Sequence, residues 1–335
     1  MTGGKQGLKI LIKSVNWIGD AVMLTPAFRA LRRKYPDSRI SMLVKAGVRQ
    51  IFSENTDIDE LIVENSGEYK GLAGLLRLIT QLRSKKYDAG VVIQGRSFKA
   101  AVLIFLSGAK RKIGYGHNLR NIFLTDIVRA GKDIKHDSDV FLGALAPLGV
   151  TAGEKRPCLN TTEEARRWAG EFLRKNGISA GAKLAAINPG AQSRERRWPE
   201  EKYALLADRI IDDFGYRVIV FGGPDDGDTV KKVLYFSKHN LIEASPDLLQ
   251  LASLAGACRI FISNDTGPAH VAAAAGAPVV VLYGVTDPRR TAPLGDRNVI
   301  IKARPALRPE RGLKPNACMD RISVEEVIAE VKKLL

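Results

Sequence analysis

The sequence predicts an α/β chain of two doubly wound domains whose parallel sheets face each other across a cleft. Three observations carry that expectation. Short β-branched runs alternate with amphipathic stretches along most of the chain. The runs are apolar throughout rather than at every second residue, and the two halves open alike, with a strand, a glycine-containing turn and a helix. Strands apolar on both faces and separated by helices belong to parallel sheets covered on either side. At 335 residues the chain is long for one compact domain and comfortable for two.

In chain order, the first half predicts strands near Lys9–Val15, Arg39–Val44, Leu61–Val63, Ala89–Ile93 and Arg111–Ile113. Helical periodicity falls between them at Thr25–Lys34, Gly71–Ser84 and Phe98–Leu106. From Gly149 to Thr162 Gly, Pro and Thr gather without periodicity and read as the connection, which sets domains at 1–160 and 161–320. The second half predicts strands near Leu184–Asn188, Arg217–Val220, Arg259–Ser263 and Val279–Leu282. Its helices are expected at Pro199–Phe214, Asp226–Phe236, Asp247–Gly256 and Pro268–Ala275. A last amphipathic helix, Val324–Leu335, carries its valines, Ile328 and leucines on one stripe; the segment 321–335 is expected to pack back on the first domain. Ligands of such folds bind at the carboxyl ends of the strands, so the loops after strands are where chemistry is expected.

Composition narrows the function classes. The apolar fraction of 45% and charged fraction of 26% are those of a soluble globular chain. The longest apolar run, Val271 to Val285, is broken by Gly276 and Pro278, so no membrane span is predicted. The opening MTGGKQGLKILIKS has a short apolar stretch broken by Lys13, unlike a signal-peptide core, and a cytoplasmic location is expected. Cys158, Cys258 and Cys318 lie too far apart for a disulfide framework or a zinc site. His117, His136, His239 and His270 are equally scattered, so no metal or other cofactor is expected.

The net charge of +16 is uneven: residues 1–160 hold 26 Lys+Arg against 14 Asp+Glu, and the rest hold 26 against 22. Between Gln94 and His136 nine basic residues meet only two acids, Asp126 and Asp133. A solvated surface explains a charge run in isolation, whereas a field of one sign also concentrates anionic partners. No nucleic-acid-binding motif accompanies it.

Four loops after strands carry the candidate chemistry. In Asn16-Trp17-Ile18-Gly19-Asp20 the carboxylate is either a helix N-cap or a general base for an attacking hydroxyl. The loop from Asn188 to Pro199 combines a glycine turn, Ser193 and the arginines Arg194, Arg196 and Arg197, and is either a phosphate grip or a solvated arginine loop. The sharpest signal is Ser263-Asn264-Asp265-Thr266-Gly267-Pro268-Ala269-His270, followed by a helix of very small residues whose N-terminus suits a diphosphate. Asp265 or Thr266 alone would be an N-cap, but three polar residues in a row and His270 one turn later exceed what a cap requires. Gly222-Gly223-Pro224-Asp225-Asp226 is a candidate nucleoside pocket or a plain turn. The chain has no GxGxxG fingerprint, Walker loop or GxSxG elbow, which weakens dehydrogenase, NTPase and hydrolase readings.

Together these loops resemble the bacterial heptosyltransferases of glycosyltransferase family 9. The resemblance rests on KILIKSVNWIGDAVMLTPAFRALRRKYP, NPGAQSRERRWP, ISNDTGPAHVAAAAGAPVVVLYG and CMDRISVEEV, in order and along the whole chain. The Trp17-Ile18-Gly19-Asp20 form is most similar to the heptosyltransferase II branch. The resemblance implies a GT-B architecture of two Rossmann-like domains, with ADP-heptose on the second and the acceptor on the first. It also implies inverting, metal-independent transfer to the lipopolysaccharide inner core at the cytoplasmic face of the inner membrane. Carried over, Asp20 matches the family's general base; Asp265, Thr266, Gly267 and His270 match the donor motif; Ser193 and Arg196 fall in the phosphate loop. Gly222 and Gly223 remain the candidate nucleoside pocket. Arg96, Lys99 and Arg120 are the candidate acceptor contacts.

Two departures accompany this resemblance. Arg196 stands where the family commonly has Lys, keeping the charge but not its point geometry. Ala303 and Ala306 stand where close relatives often have cysteines. The alternatives are heptosyltransferase I or a later branch, a sugar-nucleotide epimerase of the same fold, and a non-catalytic polyanion-binding protein.

Overall fold

The computed structural model describes residues 7–64, 66–93, 97–129, 131, 133, 135–150, 153–179, 181–304 and 316–335. The chain divides into two compact units, Met1–Cys158 and Leu159–Leu335, against an expected boundary at 160. In the first unit, β1 (Lys9–Lys13), β2 (Arg39–Lys45), β3 (Glu60–Glu64), β4 (Ala89–Val92), β5 (Arg111–Tyr115) and β6 (Asp126–Val128) form one sheet. Its order is β3-β2-β1-β4-β5-β6 and its pairings are parallel. In the second, β7 (Leu184–Asn188), β8 (Arg217–Phe221), β9 (Ile242–Ala244), β10 (Ile260–Asn264), β11 (Val279–Tyr283) and β12 (Asn298–Lys302) form another. Its order, β12-β11-β10-β7-β8-β9, repeats the first when β7 is taken as the opening strand. The two doubly wound halves read from the sequence are therefore present, and in each the strand order reverses beside the opening strand.

Burial explains which strands were legible. β7, β10 and β11 are buried at every residue, and such continuous apolar runs mark the sheet centre. The edge strands β6 and β12 are only partly buried; the sequence reading passed over both, because their pairing depends on a neighbour rather than on their own pattern.

The helices of the first unit are α1 (Ile18–Lys34), α2 (Arg49–Ser53), α3 (Gly71–Ser84), α4 (Phe98–Leu106) and α5 (Asp137–Gly143). α1 starts well before the expected Thr25, and it contains Pro26. A proline has no N–H for the carbonyl four residues back. Here the Thr25 hydroxyl donates to the Val22 carbonyl at 2.8 Å in its place, and accepts the Cys158 N–H at 2.9 Å. That local repair lets the helix run through a residue that usually interrupts one.

The second unit holds α6 (Glu163–Lys175), α7 (Glu200–Phe214), α8 (Gly227–Phe236), α9 (Leu248–Ala255), α10 (Gly267–Ala274), α11 (Pro288–Thr291), α12 (Ala317–Asp320) and α13 (Val324–Leu334). α13 is closed by a capping box between Ser323 and Glu326. Its stripe of Val324, Val327, Ile328 and Val331 is buried in the same core as Tyr203, Leu206 and Ile210 of α7. That apolar stripe completes the second unit's core. Trp198, fully buried, anchors the chain before α13 by donating its indole N–H to the Ile322 carbonyl at 3.0 Å. Its ring meets Tyr203 edge-on at 5.0 Å. No helix among the described residues is long and apolar enough to cross a membrane.

Candidate donor and catalytic site

Asp20 is the third residue of α1 and is half-buried. The N-cap is Trp17, extended at φ −108° and ψ 146°, so Asp20 does not cap the helix. Its carboxylate instead sits in the first turn, where the helix dipole favours a negative charge. The loop leaves the carboxyl end of β1 beside β4, the switch point at which doubly wound sheets bind ligands. Beneath it, Lys13 ends β1 as a buried cation, 3.1 Å from Glu64 at the end of β3. Burial pushes the Lys13 ammonium below its usual range, and Glu64 opposes that shift.

In the second unit the loops after β7 and β10 meet at the equivalent switch point, and their polar side chains divide the work. Asn264, fully buried, accepts the Trp198 N–H at 3.1 Å. It also donates to the carbonyls of Pro189 and Gly190 at 2.9 and 3.3 Å. It thus staples the arginine loop to the end of β10. Asp265, also buried, accepts the Thr286 hydroxyl at 2.6 Å and pairs with the Arg196 guanidinium at 3.3 Å. Thr286 is itself held, since Lys302 donates to its carbonyl at 2.6 Å and to that of Gly284. Burial, reinforced by the nearby Asp265 carboxylate, holds the Tyr283 phenol well above its usual range.

Thr266 occupies the N-cap position of α10, but its side chain makes no capping bond. The hydroxyl lies among Asn188 Nδ2 at 3.4 Å and Ser263 Oγ at 3.2 Å instead. The start of α10, at Gly267, therefore offers backbone N–H and the positive dipole end to an anion. His270 is buried within the same helix. Ser193 begins the 3-10 turn Arg194–Arg196, its carbonyl accepting the Arg196 N–H at 3.1 Å. Thus Ser193, Arg196, Asp265, Thr266, Gly267 and His270 lie on two neighbouring loops and the helix between β10 and β11.

The glycine loop belongs to the same assembly through Asp226. Asp226 accepts the Gly223 N–H at 3.0 Å and lies 3.9 Å from the Arg197 guanidinium. A Cβ built on Gly190 would fall 2.2 Å from Asp226 Oδ2, and one on Gly222 would fall 2.7 Å from Val230 Cγ2. Gly190 is therefore required by the close approach of the two loops. Gly190→Ala is expected to cost about 1–3 kcal/mol in chemical denaturation, because Asp226 must give up a bond to make room. In an Asp226→Ala background the same change is expected to cost clearly less, and equal costs in both backgrounds would contradict this account.

Arg197 emerges as a brace, donating to the Ala191 carbonyl at 2.8 Å and to Thr229 at 3.3 Å. Of the candidate acceptor residues, Arg96 lies outside the described residues, and Lys99 is exposed near the start of α4. Arg120 is buried, packed so closely on β5 that a Cβ on Gly114 would come within 3.1 Å of it; burial lowers its pKa. A cavity of about 590 Å³ opens at the opposite, amino edge of the second sheet, among Leu184, Cys258, Pro278, Arg174, Arg259 and Arg297. None of the candidate donor residues lines it. Sequence reasoning missed the supporting roles of Asn264, Asp226, Thr286 and Lys302; Asn264 and Asp226 had a local signal, their places in the polar run and in the glycine loop.

Comparison with known proteins bears on this arrangement. Glycosyltransferase family 9 (heptosyltransferase) matches residues 75–316. Lipopolysaccharide heptosyltransferase 2 of Salmonella typhimurium is 30% identical over 312 residues, which is 88% of each chain. A glycosyltransferase family 9 structure from Veillonella parvula superposes with a TM-score of 0.89 at 28% identity, covering 98% of this chain and 97% of that one. The ADP-heptose lipopolysaccharide heptosyltransferase II of Escherichia coli does so at 0.79 and 25% identity, covering 98% of both. The two repeated sheets are accordingly the Rossmann-like domains of the GT-B architecture. The chain belongs to glycosyltransferase family 9, the heptosyltransferase family, and is a glycosyltransferase.

Proposed function

We propose that the protein transfers heptose from ADP-L-glycero-D-manno-heptose to the inner core of lipopolysaccharide, adding the second heptose to a heptosyl-Kdo-lipid A acceptor. The single observation that carries this reading is the Arg196–Asp265 pair beside the start of α10, within a chain of the heptosyltransferase family. A cation beside a helix N-terminus suits the charge that a nucleoside diphosphate develops as it leaves.

The reaction is one displacement. Asp20 takes the proton of an acceptor hydroxyl, and that oxygen attacks the anomeric carbon of the heptose. A glycosidic C–O bond forms as the bond to the diphosphate oxygen breaks, with inversion at carbon. ADP departs with its charge met by Arg196, Ser193 and the N–H of Gly267, without a metal. Gly222 and Gly223 flank the nucleoside, and His270 the heptose side of the donor. Lys99 and Arg96 are the proposed contacts to an acceptor whose phosphates and Kdo carboxylates are anionic, at the cytoplasmic face of the inner membrane; Arg120, being buried, is not one of them.

Mass spectrometry of the purified enzyme with ADP-heptose and two acceptors tests this. Addition of one heptose to the acceptor already bearing one supports the assignment. Preference for the heptose-free acceptor would move the protein to the first branch. Absence of transfer to either would remove the reading.

A further inference from the structure

We propose that the outer layer of the first unit, formed by α3, α4 and the 3-10 turn Asn118–Phe123, is the surface on which the protein sits against an anionic lipid bilayer. The inference rests on the proposed function only in supplying a reason for the lipid. Leu72 and Leu76 of α3 are 83% and 64% exposed, and Leu119 and Ile122 of the turn are 76% and 72% exposed. α3 already buries one stripe through Gly74, Leu78 and Leu82. Its exposed leucines therefore make a second apolar face, which a water-bound helix normally gives to polar residues. Single exposed leucines call for no explanation, but these come from successive segments of one layer. α4 joins them: Phe123 of the turn contacts Phe98 and Phe105 edge-on at 5.5 and 5.4 Å.

The topology places this layer usefully. α3, α4 and the turn leave the carboxyl ends of β3, β4 and β5, the same sheet edge from which the Asp20 loop leaves β1.

Charge selects the occupant. Residues 66–125 hold eleven Lys and Arg against two acids, and one of those acids, Asp88, pairs with Lys110 at 2.9 Å. Lys70, Arg77 and Lys99 are exposed among the leucines. Apolar side chains interleaved with cations match the interface of an anionic leaflet, where leucines enter the acyl boundary and cations meet phosphates. A second copy of a chain of net charge +16 would bring like charges together on this face. Nucleic acid would use the cations and leave the leucines in water.

The test is co-sedimentation of the full chain with phosphatidylglycerol/phosphatidylethanolamine vesicles and with phosphatidylcholine vesicles. The variants are Leu72→Ser with Leu76→Ser, and Leu119→Ser with Ile122→Ser, each checked for wild-type circular dichroism. Binding is expected to the anionic vesicles, with affinity falling about tenfold in either double variant. Transfer to a vesicle-embedded acceptor is expected to fall in parallel, while transfer to a deacylated, water-soluble acceptor stays unchanged. Equal binding to both vesicle types, undiminished binding by the variants, or a dimer of the wild type that the variants dissolve would each overturn the proposal. Failure of sugar transfer with both acceptor forms would defeat the functional reading and leave the vesicle result to decide this one.

Discussion

Asp20→Ala is expected to lower heptose transfer by about 10²–10⁴-fold, the range for removal of a general base, with ADP affinity retained. The structure separates this from a folding effect. Trp17, not Asp20, is the N-cap of α1, and the Asp20 carboxylate in the first turn favours the helix through the dipole. That contribution is about 0.3–1 kcal/mol, too little to unfold a domain. Asp20→Asn sharpens the test, because it keeps the shape of the side chain and removes its basicity. Single-turnover transfer and ADP calorimetry on both variants give the answer. An Asn variant retaining more than about a tenth of the wild-type rate would assign the proton to another group.

Arg196→Ala is expected to lower kcat/KM for the sugar nucleotide by about 10²–10³-fold, as for loss of one donor to developing charge. The Arg196 guanidinium lies 3.3 Å from buried Asp265, which also accepts the Thr286 hydroxyl. Removing the cation takes away the proposed phosphate contact and also leaves the buried Asp265 carboxylate without its guanidinium partner. Arg196→Lys is expected to stay within about tenfold of wild type, since a point charge still reaches the diphosphate but loses the fork geometry. Unchanged donor kinetics in the Ala variant would return the loop to a solvated arginine cluster.

How much of this was legible beforehand differs from residue to residue. Asp20, Arg196 and Asp265 stood out because each follows an apolar strand, and a strand's carboxyl end is a ligand edge in this fold class. The centres of both sheets were legible for a related reason: a strand buried on both faces writes its burial into every residue, as in β7 and β11. The start of α1 was not, because Gly19 and Pro26 discourage a helix locally. Only the Thr25 hydroxyl, held by Cys158 from far along the chain, restores the missing bond.

The amino-acid sequence by itself therefore determined the fold class, the repeated strand–loop–helix openings and the residue types that carry chemistry. These follow from periodicity and turn preferences, which act over a few residues. The tertiary structure decided what each polar residue is for. In one short run, Asn264 faces inward as a staple, Asp265 binds Arg196, and Thr266 turns from its helix to Asn188. It also decided that Arg197 braces its loop against Thr229, that Gly190 yields its Cβ space to Asp226, and that α13 closes the second core. Each of those outcomes depends on a partner many residues away, and distance through space is set by packing rather than by local pattern.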